Sequence, residues 1–403
     1  MTVLRVVSRW KGLSIIDKAR INSYLAAMYI FQFGFMQPVA SLVNSQIPVA
    51  IMTLLIIVCL FLLNGFRLQK YLISFFAVSS IYFLLSALFF SADLILTLEM
   101  YLEFLLKGFS GFLVAGFAFE EATLFRAFAG MGVLNFLAIG LTPFVSFLSS
   151  MNYMRFGYAL IPSALIFVFA LYGADSITRK LAWAAFGALS LGLTLVYGSR
   201  GVLIVFFLFF LLVFVFSKRI GKTIKVIVLL GGPLSLYMAL RFDVLLRMVD
   251  YVYNTLGVQT YSLSKIQMMI SMGLAVASSG RDMIYYQLVQ LIRISPMFGL
   301  GVGSAQYYVS YTAHNIVLQI LVESGFAGLI FWTFVWAKPL KEYVRLSRDR
   351  EGTGYFEVAT LLLAVAFGRL LISSDMWLRP EYWFVLSFLL NPSVKRRRSL
   401  SPV

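Results

Sequence analysis

The chain has 403 residues, 61% of them hydrophobic and only 12% charged. That balance lies far from the globular average and argues against a soluble protein. The net charge of +16 therefore points to the basic loops of a membrane protein before it points to nucleic acid. Cys59 is the one cysteine and His314 the one histidine, so an internal disulfide, a thiolate metal cluster and a multi-histidine zinc site are all excluded.

Apolar runs of roughly 20 residues, the length a helix needs to cross a bilayer, recur along the chain. Residues 1–20 carry five basic residues and no cleavage pattern, so no signal peptide is expected. The expected spans are 21–40, 48–64, 71–90, 100–119, 127–147, 158–172, 181–197, 202–216, 224–240, 314–336, 356–371 and 382–390, twelve in all. The fourth is the least regular, because Asp93, Glu99, Glu103 and Lys107 interrupt it. If the N-terminus is cytoplasmic, 23 of the 33 Lys and Arg residues fall on inner segments and 9 on outer ones, with Lys107 left inside the fourth span. The bias follows the positive-inside rule and sets both termini in the cytoplasm. The chain reads as a single all-α membrane domain, 1–403, with one long outer loop, 241–313, between the ninth and tenth spans.

That loop has structure of its own. Residues 251–260 are polar and aromatic and read as irregular. Residues 281–294 read as a helix, with Ile284, Leu288, Leu291 and Ile294 on one face. Ser278 or Ser279 could cap its start, and Pro296 would stop it. An amphipathic helix on the outer membrane surface is the simplest reading. Glycines follow at 299, 301 and 303, before His314-Asn315. Without a preceding strand they read as turn formers more readily than as a phosphate cradle.

From Asn315 the polar residues Asn315, Gln319 and Glu323 recur every four positions of an otherwise apolar run. They share one helix face, and that face should meet protein or water, not lipid. Glu323 could relay protons or pair with a buried Arg or amide. Gly325 and Gly328 should allow close helix packing. Asp375 and Arg379 should pair locally near the outer surface.

Eight of the nine outer basic residues are arginines, Arg155, Arg200, Arg281 and Arg369 among them. A guanidinium offers a fixed fork of donors that matches phosphate oxygens. Arg200 in Gly198-Ser199-Arg200-Gly201 and Arg281 in Gly280-Arg281 lie beside glycines, which permit close approach. The alternative for any outer arginine is snorkelling to lipid headgroups. His314 could be structural, or a general base or substrate ligand at the start of a span.

The order Ser199-Arg200-Gly201, Gly280-Arg281, the Pro296 to Gly303 run, and His314-Asn315 followed by Gly325 and Gly328 resembles the bacterial O-antigen ligase and O-antigen polymerase superfamily. The likeness covers the C-terminal half by motif and the first 120 residues by hydropathy alone. It implies a C-type glycosyltransferase-like membrane fold, working at the periplasmic face of the inner membrane. It also implies an undecaprenyl-diphosphate-linked oligosaccharide as donor, and neither metal nor cofactor. By the same resemblance Arg200 and Arg281 would grip the diphosphate, and His314 would orient or deprotonate the acceptor hydroxyl. Asn315 belongs to the motif, and Arg155 and Arg369 would extend the basic site. The ten residues between Gly303 and His314 look more like a polymerase, which would work beside a chain-length regulator protein. A ligase acting on lipid A core is the alternative. A transporter of lipid-linked glycan is a further one, and it would place more basic residues in mid-membrane.

Overall fold

The computed structural model describes residues 13–144, 153–199, 201–217, 247, 249–255, 260–272, 280–349 and 353–395. Among them the chain is helical, with no strand. In a bilayer this is what the backbone requires, because a helix satisfies its own N–H and C=O groups where no water is at hand.

The first helices are α1 (Ile15–Phe35), α2 (Gln37–Leu42), α3 (Ile47–Asn64) and α4 (Lys70–Phe89). Next, α5 (Leu94–Glu103) is capped by Asp93, whose Oδ1 accepts from the Ile95 and Leu96 amides at 2.9 and 3.1 Å. It passes through a π-helical turn, Phe104–Phe109, into α6 (Ser110–Val114). Then come α7 (Glu121–Gly140), α8 (Tyr153–Gly173), α9 (Ile177–Tyr197) and α10 (Gly201–Phe216). The expected outer loop supplies α11 (Tyr261–Met272), α12 (Arg281–Ile294) and the short α13 (Ser304–Val309). The chain closes with α14 (Ile316–Arg348), α15 (Thr353–Leu370), α16 (Pro380–Leu390) and α17 (Pro392–Lys395).

Among the described residues, six helices are long and apolar enough to cross a membrane: α3, α4, α7, α8, α9 and α14. Five more expected spans fall on helices that are charged, interrupted or short: α1, α5–α6, α10, α15 and α16. The span expected at 224–240 lies outside the described residues.

The helices sort into centre and periphery. Of α8, 72% is buried, against 11% of α9. The short α16 is enclosed on every side, with all ten residues from Pro380 to Leu389 buried. Trp383 on α16 stacks on Trp377 at 5.7 Å and meets Phe104 edge-on at 5.2 Å and Trp332 at 5.7 Å. Large apolar side chains stay exposed on the outer helices, Leu54 on α3, Leu84 on α4 and Phe207 on α10 among them. Such a surface suits lipid.

Hydrogen bonds join like ends of the expected spans. At one end Asn22 donates to Asn64 and to the Ala118 carbonyl. At the same end Asn391 donates to Ala115 and Phe117, and Tyr355 donates to Phe119. At the other end Ser86 accepts from Val302, Ser373 donates to Tyr158, and Ser262 donates to Leu195.

The outer loop departs from expectation in three places. Residues 251–255 form a π-helical turn where irregular chain was expected, and α11 follows it. Gly280 is the N-cap of α12, while Ser278 and Ser279 lie outside the described residues. Ile284 and Leu288 of the expected apolar face are buried against α13 and α14, but Ile294 at the helix end is exposed.

Candidate functional site

Helix α14 is broken at Gly325, whose φ of 62° and ψ of −160° suit glycine alone. A continuous helix would pass the Phe326 and Ala327 amides to the Val322 and Glu323 carbonyls. Instead those amides donate to Pro296 O at 2.9 Å and Met297 O at 3.0 Å. The stranded carbonyls accept from Leu300 at 2.8 Å and Gly301 at 2.9 Å. The glycine loop is threaded into the break and completes it. Gly299 turns there at φ +71°, and a Cβ on it would fall 2.3 Å from the Ser324 nitrogen. The glycines are turn formers, and the amides of Leu300 and Gly301 are committed to α14.

The polar face of α14 meets protein as expected. Asn315 caps the helix, its Oδ1 accepting from Val317 and Leu318 at 3.0 and 3.1 Å. Its Nδ2 donates to Leu371 O at 3.3 Å, so its polar atoms are committed to the fold. Gln319 accepts from the Met376 amide at 3.0 Å and donates to Glu323 at 3.1 Å. Glu323 accepts from Trp377 Nε1 at 2.9 Å. Its partners are an amide and an indole, not an arginine. Together these bonds pin the segment 371–379, between α15 and α16, against the start of α14.

Asp375 and Arg379 act on each other's charge, as expected of a local pair, while the Asp375 Oδ1 accepts from the Trp377 amide at 2.8 Å. Burial pushes its carboxyl up to about 6. The ion pair at this end is Arg369 with Glu381, at 3.5 Å. Arg379 is partly buried beside Asp375 and Glu381, and its enclosed Nε has no hydrogen-bond partner.

His314 sits just before α14 with φ 51°, a left-handed conformation uncommon outside glycine. Its Nδ1 lies 3.2 Å from Thr312 Oγ1, and the Tyr285 hydroxyl donates to its carbonyl at 3.3 Å. Half-burial lowers its pKa, and the Arg281 charge lowers it further, against a hydrogen bond to the Ser373 backbone. The imidazole is therefore held neutral near neutral pH. The loop residues His314 and Arg281, 33 apart in sequence, are electrostatic neighbours.

From Ser373 the contacts lead inward. Ser373 Oγ donates to the Tyr158 hydroxyl at 2.7 Å, and the Arg369 guanidinium lies 4.7 Å over the Tyr158 ring. Tyr158 lines a cavity of about 510 Å³ that also takes Arg155, Arg369, Arg379, Lys107 and Glu381. Apolar residues such as Phe33, Val49, Leu54 and Ile57 line it too, with Gln37, Gln46 and Thr53 among them. The lining thus combines four cations and one carboxylate with many apolar side chains.

The structure thus brings His314, Asn315 and Arg281 together, and places Arg155 and Arg369 in the adjoining cavity. Arg200 lies outside the described residues. Its neighbours in sequence abut α8: a Cβ on Gly201 would meet the Tyr158 hydroxyl at 2.3 Å, and one on Gly157 the Ser199 nitrogen at 2.9 Å. The roles of Tyr158, Ser373 and Arg379 were not foreseen. Arg379 next to Pro380 was visible as a cation at a span end, but nothing in the sequence shows it to be partly buried.

Residues 184–333 match the family model Wzy_C, described as O-antigen ligase. Over that stretch the chain is similar to the O-antigen ligase family. No curated protein and no solved structure gives a significant match. The matched region runs from α9 to the middle of α14 and so contains Arg200, Arg281, the glycine loop and His314. Arg155, Arg369 and Arg379 fall outside it. The apolar helices fit a multi-pass membrane protein, and the matched stretch is similar to O-antigen ligases.

Proposed function

We propose that this protein is an O-antigen polymerase, a membrane glycosyltransferase that moves glycan from undecaprenyl diphosphate onto a lipid-linked repeat unit. The observation that carries this reading is His314, within reach of the Arg281 charge and linked through Ser373 and Tyr158 to a cavity lined by four cations and by apolar side chains. A diphosphate on an isoprenoid tail also combines charge and hydrocarbon.

In the reaction the acceptor hydroxyl oxygen bonds to the sugar carbon that carries the diphosphate. The bond from that carbon to the diphosphate oxygen breaks, and its electron pair leaves with the diphosphate. The hydroxyl proton passes to His314. Arg200 and Arg281 hold the charge that develops on the leaving group, the part fixed cationic donors play in such transition states, with no metal required. Asn315 positions His314 by capping α14.

The full proposal has twelve spans in a C-type glycosyltransferase-like fold, both termini cytoplasmic, and the site facing the periplasm of a bacterial inner membrane. The short connection from Gly303 to His314 favours the polymerase, with a chain-length regulator as partner. The description of the matching family model favours the second reading, a ligase that transfers to lipid A core. Purified protein given only undecaprenyl-diphosphate-linked repeat units should build a ladder of polymers. Transfer that begins only when lipid A core is added makes it a ligase, and no transfer to either acceptor refutes both.

A further inference from the structure

We propose that Glu323 is a positioning residue for His314: from inside the span it fixes the segment that holds the imidazole. This rests on the role proposed for His314, and Glu323 itself touches no reacting group.

Glu323 lies about two turns into α14, 3% exposed, just before the break at Gly325. Its carboxyl accepts from Gln319 Nε2 at 3.1 Å and from the Trp377 indole at 2.9 Å, and the Gly303 amide faces it too. Gln319 in turn accepts from the Met376 amide at 3.0 Å. The backbone of Glu323 works in another direction, since its carbonyl accepts from the Gly301 amide at 2.9 Å. One residue thus fastens the segment 371–379 with its side chain and the glycine loop with its main chain. The His314 ring reaches the Ser373 backbone in that same segment, and Asn315 donates to Leu371 O at its start. The glycine loop leads back to α12, which carries Arg281. The support of the base and the support of the cation beside it meet at Glu323.

A carboxyl is a costly choice at this place. Among the described residues, the charged group acting on it is a second buried carboxyl, Asp375. Two carboxyls buried together stabilise a fold less than hydrocarbon of the same volume does. An ionisable side chain kept inside a span is a mark of function. What the carboxyl supplies, and hydrocarbon cannot, is two acceptor oxygens in fixed directions, one toward an indole and one toward an amide. Those oxygens set where the segment 371–379 lies, and so where Ser373 holds the imidazole. A misplacement of about 1 Å at a reacting group can cost about 100-fold in rate.

The test uses the full chain, without a histidine tag, in phosphatidylcholine nanodiscs. His314 is the one histidine, so isotope-labelled histidine gives the magnetic resonance signal of a single imidazole. Glu323→Met keeps the volume and removes both acceptors. It should move the imidazole signal from its wild-type position, and Glu323→Gln, which keeps an acceptor for Trp377, should return it most of the way. With undecaprenyl-diphosphate-linked repeat units, Glu323→Met should lower kcat by about tenfold to 100-fold and leave KM within about twofold. Glu323→Gln should recover most of that loss. Trp377→Phe keeps an aromatic ring and removes the indole donor, so it should move the signal in the same direction as Glu323→Met. It carries the test if Glu323→Met does not insert.

An imidazole signal that stays in place in Glu323→Met, or in Trp377→Phe, overturns the positioning role whatever happens to the rate. So does a fall in kcat matched by an equal rise in KM, and so does a Glu323→Gln protein no better than Glu323→Met. Both mark a residue that serves the fold alone. Signals that move as expected in a protein that transfers no glycan would refute the proposed function and leave the hold of Glu323 on the imidazole standing.

Discussion

Arg369 lies over the ring of Tyr158, its guanidinium carbon 4.7 Å from the ring centre, while the Tyr158 hydroxyl accepts from Ser373 at 2.7 Å. One side chain thus joins a cavity cation to the segment whose backbone holds the His314 ring. A cation over an aromatic face is worth about 0.5–2 kcal/mol, and a neutral hydrogen bond about 0.5–1.5 kcal/mol. Tyr158→Phe keeps the first and loses the second, so transfer should fall by about threefold to tenfold. Tyr158→Leu loses both and should fall further. Equal rates for the two variants, measured on purified protein, would show that the ring face does nothing for Arg369.

The broken helix makes a stability prediction. Alanine at Gly325 would have to hold φ 62° and ψ −160°, and its Cβ would fall 2.4 Å from the Met297 carbonyl carbon. Strain of that kind costs about 1–3 kcal/mol before the clash is counted. Gly325→Ala and Gly299→Ala should therefore lower the melting temperature in detergent clearly. Gly328→Ala should lower it too, because its Cβ would fall 2.4 Å from the Ser324 Cβ, which cannot rotate away, but without a left-handed φ. A Gly325→Ala protein that melts like wild type would show that the threaded loop does not make Gly325 necessary.

These two cases show what could be read in the sequence. The spacing of Asn315, Gln319 and Glu323 gave the right face of α14, because helical periodicity is a local property. It could not give the partners, Leu371, Met376 and Trp377, which lie more than 50 residues on. Glycines 299, 301 and 303 announced turns, but not that their loop supplies the hydrogen bonds missing at Gly325. The bounds of α12 were legible, since Pro296 marked its end, but Ile294 of its expected apolar face is exposed. Asp375 and Arg379 read as a local pair and do act on each other's charge, but the sequence did not show that Asp375 also accepts from the Trp377 amide.

Arginine and lysine should not be interchangeable at the two predicted diphosphate ligands. Lysine keeps the charge but loses the fork of donors. Arg281→Lys and Arg200→Lys should each retain a folded protein and lose most polymer, roughly tenfold or more if one charge-assisted hydrogen bond of about 1.5–3 kcal/mol is lost. Near-normal polymer from both variants would assign these arginines to lipid headgroups.

The pH profile should report Arg281 as well. His314 must be neutral to accept a proton, and burial with the Arg281 charge lowers its pKa below the ordinary histidine value. The acid limb of transfer should therefore lie below about pH 6.5. Arg281→Gln removes a positive neighbour, which favours the imidazolium. The limb should then move to higher pH, in whatever activity survives. A limb that stays in place would show that the Arg281 charge does not reach His314.

The last prediction concerns His314 itself. A sugar hydroxyl is a poor nucleophile near neutral pH, and a positioned base contributes about 10²–10⁴-fold. His314 lies outside the helical core, half-buried before α14, and its side chain makes one hydrogen bond to Thr312 and one to the Ser373 backbone. His314→Ala should therefore insert and melt much like wild type. It should still bind prenyl diphosphate, because the arginines are untouched, and transfer at least about 100-fold more slowly. If His314 only orients the acceptor, His314→Gln should restore much of the rate, since an amide can hold the same hydrogen bond yet cannot take the proton. Loss in both variants with donor binding intact supports the base. Full activity in His314→Ala, with either acceptor, removes His314 from the chemistry.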